Sequence, residues 1–107
     1  MGVGGHVGRK SQFTVDASSV QGNEGAAVTF RKITIAQRDK YLSDPDYGDA
    51  QIVGDHIADW SGIVDDDGNE IPSPKDEPGV IASLYVDELR ALVMLLFQGP
   101  DGEHAKN

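Results

Sequence analysis

The sequence predicts an α+β fold, in which an N-terminal β-hairpin is followed by a small helical bundle with a short acidic β-turn insertion. Residues 12–16 and 26–33 have the β-branched and aromatic content of strands. Further along, apolar residues recur at helical spacing until a glycine–proline pair at 99–100. Between these regions an aspartate–glycine pair flanked by apolar residues is typical of a tight turn.

The chain of 107 residues is long enough for one domain with one core, which we place at residues 12–100. Residues 1–11 are rich in glycine and basic charge without apolar periodicity, and they predict a disordered tail. Residues 101–107 predict a flexible C-terminal tail. The hydrophobic fraction of 38% indicates a modest core between them.

The simplest interpretation is that the first two strands form a β-hairpin. In the second strand, Val28 and Phe30 alternate with Thr29 and Arg31, so that one face is apolar and the other polar. The residues between the strands include the glycine and asparagine of a turn. This pattern predicts a sheet with one solvated side.

Two helices are expected after the hairpin. Thr34 and Gln37 have the spacing of a capping box, which predicts a helix over residues 35–42 that stops before Pro45. An apolar stripe predicts a second helix from about residue 47 to residue 60.

The last part of the chain combines the acidic turn with the clearest helix. Asp, Asp, Gly and Asn at 66–69 predict a small exposed β-turn or hairpin. Helical periodicity then extends over residues 76–98, with a break near 85–87, so the longest helix is expected at Val86 to Gln98. We expect Trp60 to pack in the core against this helix.

Composition excludes several classes of function. Nine basic and eighteen acidic residues give a net charge of −9, which disfavours binding to nucleic acid and to anionic membranes. The absence of cysteine excludes disulfides and thiolate metal sites, and is tolerated by the reducing cytoplasm, where we expect the protein to be located. The longest apolar run, residues 91–97, is far shorter than the ~20 residues that span a bilayer.

No metal or cofactor site is predicted. The acidic residues at 65–70 suggest calcium, but aligning Gly68 with the glycine of an EF-hand loop puts Ile63 at the first ligand position and Pro74 at the last. Neither residue has a ligating side chain. A solvated acidic turn is the better interpretation.

No catalytic residue is predicted either. His6, His56 and His104 are far apart in the sequence, and none has a second histidine at metal-ligand spacing. His56 lies near Asp55 and could act as a base, but no serine, threonine or cysteine occupies a nucleophile motif. We favour a half-buried structural histidine and a protein that is not an enzyme.

The segment ALVMLLF at residues 91–97 is the strongest candidate for a binding surface. A helix over it is apolar on almost every side. The expected inward stripe consists of Leu89, Leu92, Val93 and Leu96, while Met94, Leu95 and Phe97 point elsewhere. Two interpretations remain open, a central core helix and a partly exposed surface for a partner or for self-association. The predicted partner-binding residues are Leu92, Met94, Leu95 and Phe97.

Three stretches of the chain resemble tail assembly chaperones of long-tailed phages and prophages. They read VTFRKITIAQRDKYL, IVGDHIADWSGIVDDDGNEIPSP and EPGVIASLYVDELRALVMLLFQGP, with the phrase WSGIVDDDGNEIP at the centre of the resemblance. The resemblance implies no catalysis. It implies that the protein coats the helical tape-measure protein, keeps it soluble in the host cytoplasm, and helps to recruit tail-tube subunits.

Two other functions compete with a chaperone. A structural virion component, such as a head-tail connector or minor tail protein, would use the glycine-rich start of the chain as an arm that orders on assembly. An acidic inhibitor that mimics DNA would need carboxylates spread as a phosphate-like array. The acidic residues instead cluster within residues 44–70, which makes the DNA mimic the weakest of the three.

Overall fold

A computed structural model describes residues 10–100 and has an α+β architecture, which confirms the predicted fold class. An antiparallel sheet of three strands in the order β1-β2-β3 is combined with helices. Most of the two predicted tails, residues 1–9 and 101–107, lies outside the described residues. The strands are β1 (Gln12–Asp16), β2 (Ala27–Arg31) and β3 (Ile57–Ser61); the helices are α1 (Ser18–Gln21), α2 (Ile35–Ser43), α3 (Asp49–His56) and α4 (Val86–Gln98), with a 3₁₀ helix at Pro78–Ser83.

The predicted hairpin is formed by β1 and β2, in regular antiparallel register. Phe13 lies opposite Phe30, with the ring centroids 5.7 Å apart on the buried face. On the other face, the hydroxyls of Thr14 and Thr29 are 2.7 Å apart. The connection is more than a turn, because its middle forms the short helix α1, which buries Val20.

The prediction of a helix over residues 47–60 is wrong for its last four residues. Helix α3 ends at His56, and the next residues form β3, antiparallel to β2. Ile57 and Trp60 are buried in this strand, where Trp60 lies opposite Val28. Strand pairing explains the difference, because residues 57–61 pair with the second edge of β2. Without this third strand the sheet would have two strands and would be only marginally stable.

Helix α2 begins where the capping box predicts. Thr34 Oγ1 accepts the N–H of Gln37 at 3.1 Å, and the Gln37 side chain accepts the N–H of Thr34 at 2.9 Å. No residue of α2 is buried. Tyr41 is half-buried and packs against the core, so α2 lies on the outside of the domain.

Helix α4 has the predicted bounds, and the predicted break lies just before it. The chain leaves the 3₁₀ helix at Leu84, and the N–H of Tyr85 donates to the Glu88 carboxylate at 2.8 Å where α4 begins. Helix α4 packs against α1 and α3. Its buried side chains join those of the sheet in one core cluster, which also includes Trp60.

Gly62, directly after β3, occupies a position that only glycine fits. Its φ is +77°, and a Cβ there would lie 2.9 Å from the Cα of Ala26. We expect Gly62→Ala to lower the free energy of unfolding by about 2 kcal/mol or more, because backbone strain and a steric clash both contribute. Urea denaturation would measure it. The control is Gly68→Ala, at φ +84° with open space around it, where about 1 kcal/mol is expected. Equal losses would contradict the clash.

Candidate interaction surface

The solvent-facing side of α4 carries three of the four residues predicted to bind a partner. Met94 is 63% exposed and Phe97 is 36% exposed, while Leu95 is half-buried. Leu92 is 0% exposed and belongs to the core, together with Val93 and Leu96. The partner-binding set is therefore corrected to Met94, Leu95 and Phe97, which we call the α4 outer face. Leu92 shares the buried side of the helix because it precedes Leu96 by one helical turn.

A groove of about 430 Å³ adjoins the α4 outer face. Met94 and Leu95, with Ala91, provide its apolar side. Its polar side comes from Ser18 and Ser19 of α1, with Asp16 and Gln98. An apolar side chain of a partner that entered this groove would contact methyl and methylene groups of α4 while its backbone remained near polar groups.

The other margin of the α4 outer face is aromatic. The Phe97 ring lies 5.4 Å from the ring of Tyr41, at an interplanar angle of 44°. The Tyr41 hydroxyl donates to the Asp49 carboxylate, and this hydrogen bond, together with burial, raises the pKa of Tyr41. The hydrogen bond to Asp49 orients the Tyr41 ring where it contacts Phe97. Because Phe97 is partly covered in this way, Met94 is the most accessible apolar residue of the face.

Helix α2 presents further apolar side chains to solvent. Ile35 is 72% exposed and Leu42 is 70% exposed. They are seven positions apart, so they share a side of the helix. Their spacing in the sequence is that of an inward stripe, and nothing in the sequence signals that they face outward. The tertiary structure turns Tyr41 toward the core instead.

A second, larger cleft of about 910 Å³ is strongly acidic. The Tyr85 hydroxyl lies 2.7 Å from both carboxylate oxygens of Asp66, and this hydrogen bond raises the pKa of Tyr85. Gln21 donates to the Val64 carbonyl and to the Glu88 carboxylate, both at 2.8 Å. Hydrogen bonds within the chain thus organise this cleft. The carboxylates that line it are Asp65, Asp66, Asp67, Glu70, Asp87 and Glu88.

The acidic turn beside this cleft has a structural reason for its composition. Asp65 Oδ1 accepts the N–H groups of Asp67 and Asn69, at 3.0 and 2.9 Å. Gly68 takes a φ of +84°, and Val64 forms a bridge with Glu70. Within residues 10–100, no group of three or more His, Cys, Asp or Glu side chains is placed to hold a metal ion. Asp65 thus stabilises the turn by accepting hydrogen bonds from its backbone.

His56 is a core residue rather than a half-buried one. It is 1% exposed, and its Nδ1 lies 2.8 Å from the carbonyl of Ile52. A carbonyl only accepts, so Nδ1 carries the hydrogen and donates. Nε2 is buried without a hydrogen-bond partner among the described residues. A general base needs access to substrate, and burial at this position denies it.

Within residues 10–100, none of the helices combines the length and apolarity required to cross a membrane.

Comparison with known proteins adds no relative. No protein-family model matches the sequence, and no match is found among curated proteins or among solved structures.

Proposed function

We propose that the protein is a tail assembly chaperone, a non-catalytic protein that binds the phage tape-measure protein and keeps it soluble until the tail assembles. The observation that supports this best is the 63% exposure of Met94, beside Leu95 and Phe97 on one side of α4. Contiguous apolar surface in water favours association with a partner. The resemblance of the sequence to tail assembly chaperones is the reason for proposing the tape-measure protein as this partner.

The α4 outer face suits an amphipathic helix. Such a helix contacts a groove through apolar side chains at positions i, i+3, i+4 and i+7. The groove beside Met94 and Leu95 offers depth for those side chains, and Phe97 with Tyr41 forms an aromatic margin. Methionine is unbranched and adapts to more than one apolar shape, which is useful against a long helix of varied sequence.

The distribution of charge supports the same role. The net charge is −9, and Asp87 and Glu88 lie in the first turn of α4, whereas Met94 to Phe97 lie in its last turns. At 1.5 Å per residue, about 10 Å along the helix axis separates the carboxylates from the apolar face. The apolar side chains are thus separated from the acidic first turn of α4, while the like charge of the chain keeps loaded complexes from aggregating.

Met94→Glu tests the proposal. The variant is co-expressed with a tape-measure protein of a long-tailed phage, and the amount of that protein in the soluble fraction and in the purified complex is measured. We expect at least about a tenfold loss of the complex, since a charge buried at the centre of an apolar contact costs more than 1.4 kcal/mol. Thermal stability should remain near that of the wild type, because the replaced side chain is exposed.

The matched control is Ile35→Glu, which makes the same change of charge at a residue of α2 that is 72% exposed. We expect it to retain the complex. Equal losses from both variants would show a non-specific effect of charge, and an unaffected Met94→Glu variant would exclude the α4 outer face. Stoichiometric amounts of the protein in purified particles would favour a structural virion component, because a chaperone leaves the assembled tail.

A further inference from the structure

Helix α2 is attached to the rest of the domain by few apolar contacts. None of its nine residues is buried. Among residues 10–100, Tyr41 is the α2 side chain that packs against the core cluster, whereas Ile35 and Leu42 are 72% and 70% exposed. The docking of α2 therefore depends mainly on Tyr41.

Tyr41 holds α2 in place through two contacts. Its hydroxyl donates to the carboxylate of Asp49, the first residue of α3, and its ring lies 5.4 Å from the Phe97 ring of α4. Lys40 adds a third contact, because its Nζ lies 4.7 Å from the centre of the Tyr47 ring. Lys40 is exposed, so this cation–π contact is of the weaker, solvated kind.

The two ends of α2 are held by better anchored parts of the chain. Strand β2, which pairs along both of its edges, ends at Arg31. Tyr47, four positions after the end of α2, is 9% exposed, and its hydroxyl donates to the Asp55 carboxylate at 2.6 Å. The residues that flank the helix directly, Thr34 and Asp44, have extended backbone conformations. Helix α2 thus lies as a strap between two fixed ends.

Local bonds rather than the core stabilise α2 as a helix. Its capping box and the bond from the Ser43 hydroxyl to the Asp39 carbonyl, at 2.7 Å, both lie within the segment. Helices α3 and α4 instead each bury three side chains. Elements with few buried apolar contacts open at a lower free energy than the core does. A free helix of this length is marginal in water, so α2 should unfold locally when its contacts break, while α3 and α4 remain folded.

We propose that α2 is a movable strap, and that its undocking uncovers Phe97 and extends the α4 outer face for an apolar helix of the partner. In the docked position Phe97 is 36% exposed, with the Tyr41 ring against it. When α2 leaves, Phe97 joins Met94 and Leu95 as open apolar surface. The uncovering follows from the position of α2 alone, whereas the identity of the partner rests on the function proposed above.

The strap makes binding depend on an opening step. When only a fraction of a protein is competent to bind, the apparent affinity falls in proportion to that fraction. Docked α2 therefore limits binding at the α4 outer face. A substitution that loosens α2 should strengthen binding, although it removes a contact of the free domain.

Native-state amide exchange, followed by NMR on the full chain without a partner, tests the undocking. We expect the α2 amides to exchange at least about a hundredfold faster than the slowest amides of α3 and α4, since they need only local opening. Tyr41→Ala removes both the hydrogen bond to Asp49 and the ring contact with Phe97. It should accelerate exchange in α2 at least about tenfold further, and leave α3 and α4 within about threefold of the wild type.

The matched control is Leu42→Ala, the same substitution of a large side chain one position along α2. Leu42 is 70% exposed, and leucine and alanine both favour helix. We expect exchange in α2 to stay within about twofold of the wild type. A comparable acceleration by both alanine variants would show that helix content, and not the Tyr41 contacts, sets the exchange of α2.

Competition for a tape-measure protein tests the uncovering of the face. Wild type and a variant of distinct mass are co-expressed with a limiting amount of that protein, and their ratio in the purified complex is measured by mass spectrometry. Tyr41→Ala should exceed the wild type at least about threefold, because more of it is in the open form. Leu42→Ala should equal the wild type. Met94→Glu should be lost from the complex without any change in the exchange of α2.

Two results would overturn the proposal. Exchange in α2 as slow as in α3 and α4 would show that α2 opens only when the whole domain unfolds. Fast exchange in α2 with Tyr41→Ala at or below the wild type in the complex would show that α2 moves without covering the binding surface. A Met94→Glu variant that competes as well as the wild type would instead contradict the function proposed for the α4 outer face, while the exchange rates still decide whether α2 undocks.

Discussion

Replacing Trp60 with alanine is expected to lower the free energy of unfolding by about 3–5 kcal/mol. Trp60 is 5% exposed and lies in β3 opposite Val28, so truncation leaves a cavity in the core. The change also removes the indole N–H that donates to the Ile71 carbonyl at 3.0 Å. Small domains are stable by only about 5–15 kcal/mol, so the loss should be a large part of the total. Urea denaturation followed by circular dichroism would measure it.

Trp60→Phe separates packing from the hydrogen bond. Phenylalanine keeps an aromatic ring in the core but cannot donate to Ile71. We expect a loss of roughly half that of Trp60→Ala, since the unpaired carbonyl and the smaller ring each contribute about 1 kcal/mol. An alanine variant as stable as the wild type would show that the core does not depend on this side chain.

Leu92→Ala should lower the free energy of unfolding by about 2–5 kcal/mol, whereas Met94→Ala should change it by less than about 0.5 kcal/mol. The two residues lie two positions apart on α4, with 0% and 63% exposure. Truncation at Leu92 opens a cavity in the core, and truncation at Met94 removes a side chain that is already in water. Paired urea titrations on both variants would measure the difference.

The two alanine variants should rank in the opposite order when their binding to the tape-measure protein is measured. Met94→Ala removes part of the proposed contact, so it should weaken the complex with the tape-measure protein while the domain stays folded. Leu92→Ala should bind normally at temperatures where it is folded. Similar stability losses in the two variants would contradict the orientation of α4 in which Leu92 is buried and Met94 is exposed.

Local signals predicted several elements correctly. The start of α2 follows from Thr34 and Gln37, because a capping box satisfies free amides within a few residues of chain. The end of α4 follows from Gly99 and Pro100, which cannot continue a helix. The hairpin of β1 and β2 follows from strict alternation of apolar and polar residues. In each case the cause and the effect lie close together in sequence.

The sequence by itself thus determined the α+β class, the two N-terminal strands, the cap of α2 and the bounds of α4. Only the tertiary structure decided that residues 57–61 leave the helix to form β3, because their partner β2 lies about thirty residues away in the chain. Tertiary packing also decided that Leu92 is core while Met94 is surface, and that Ile35 and Leu42 face water. A helix that is apolar on almost every side does not specify which side its neighbours cover, since burial depends on distant elements.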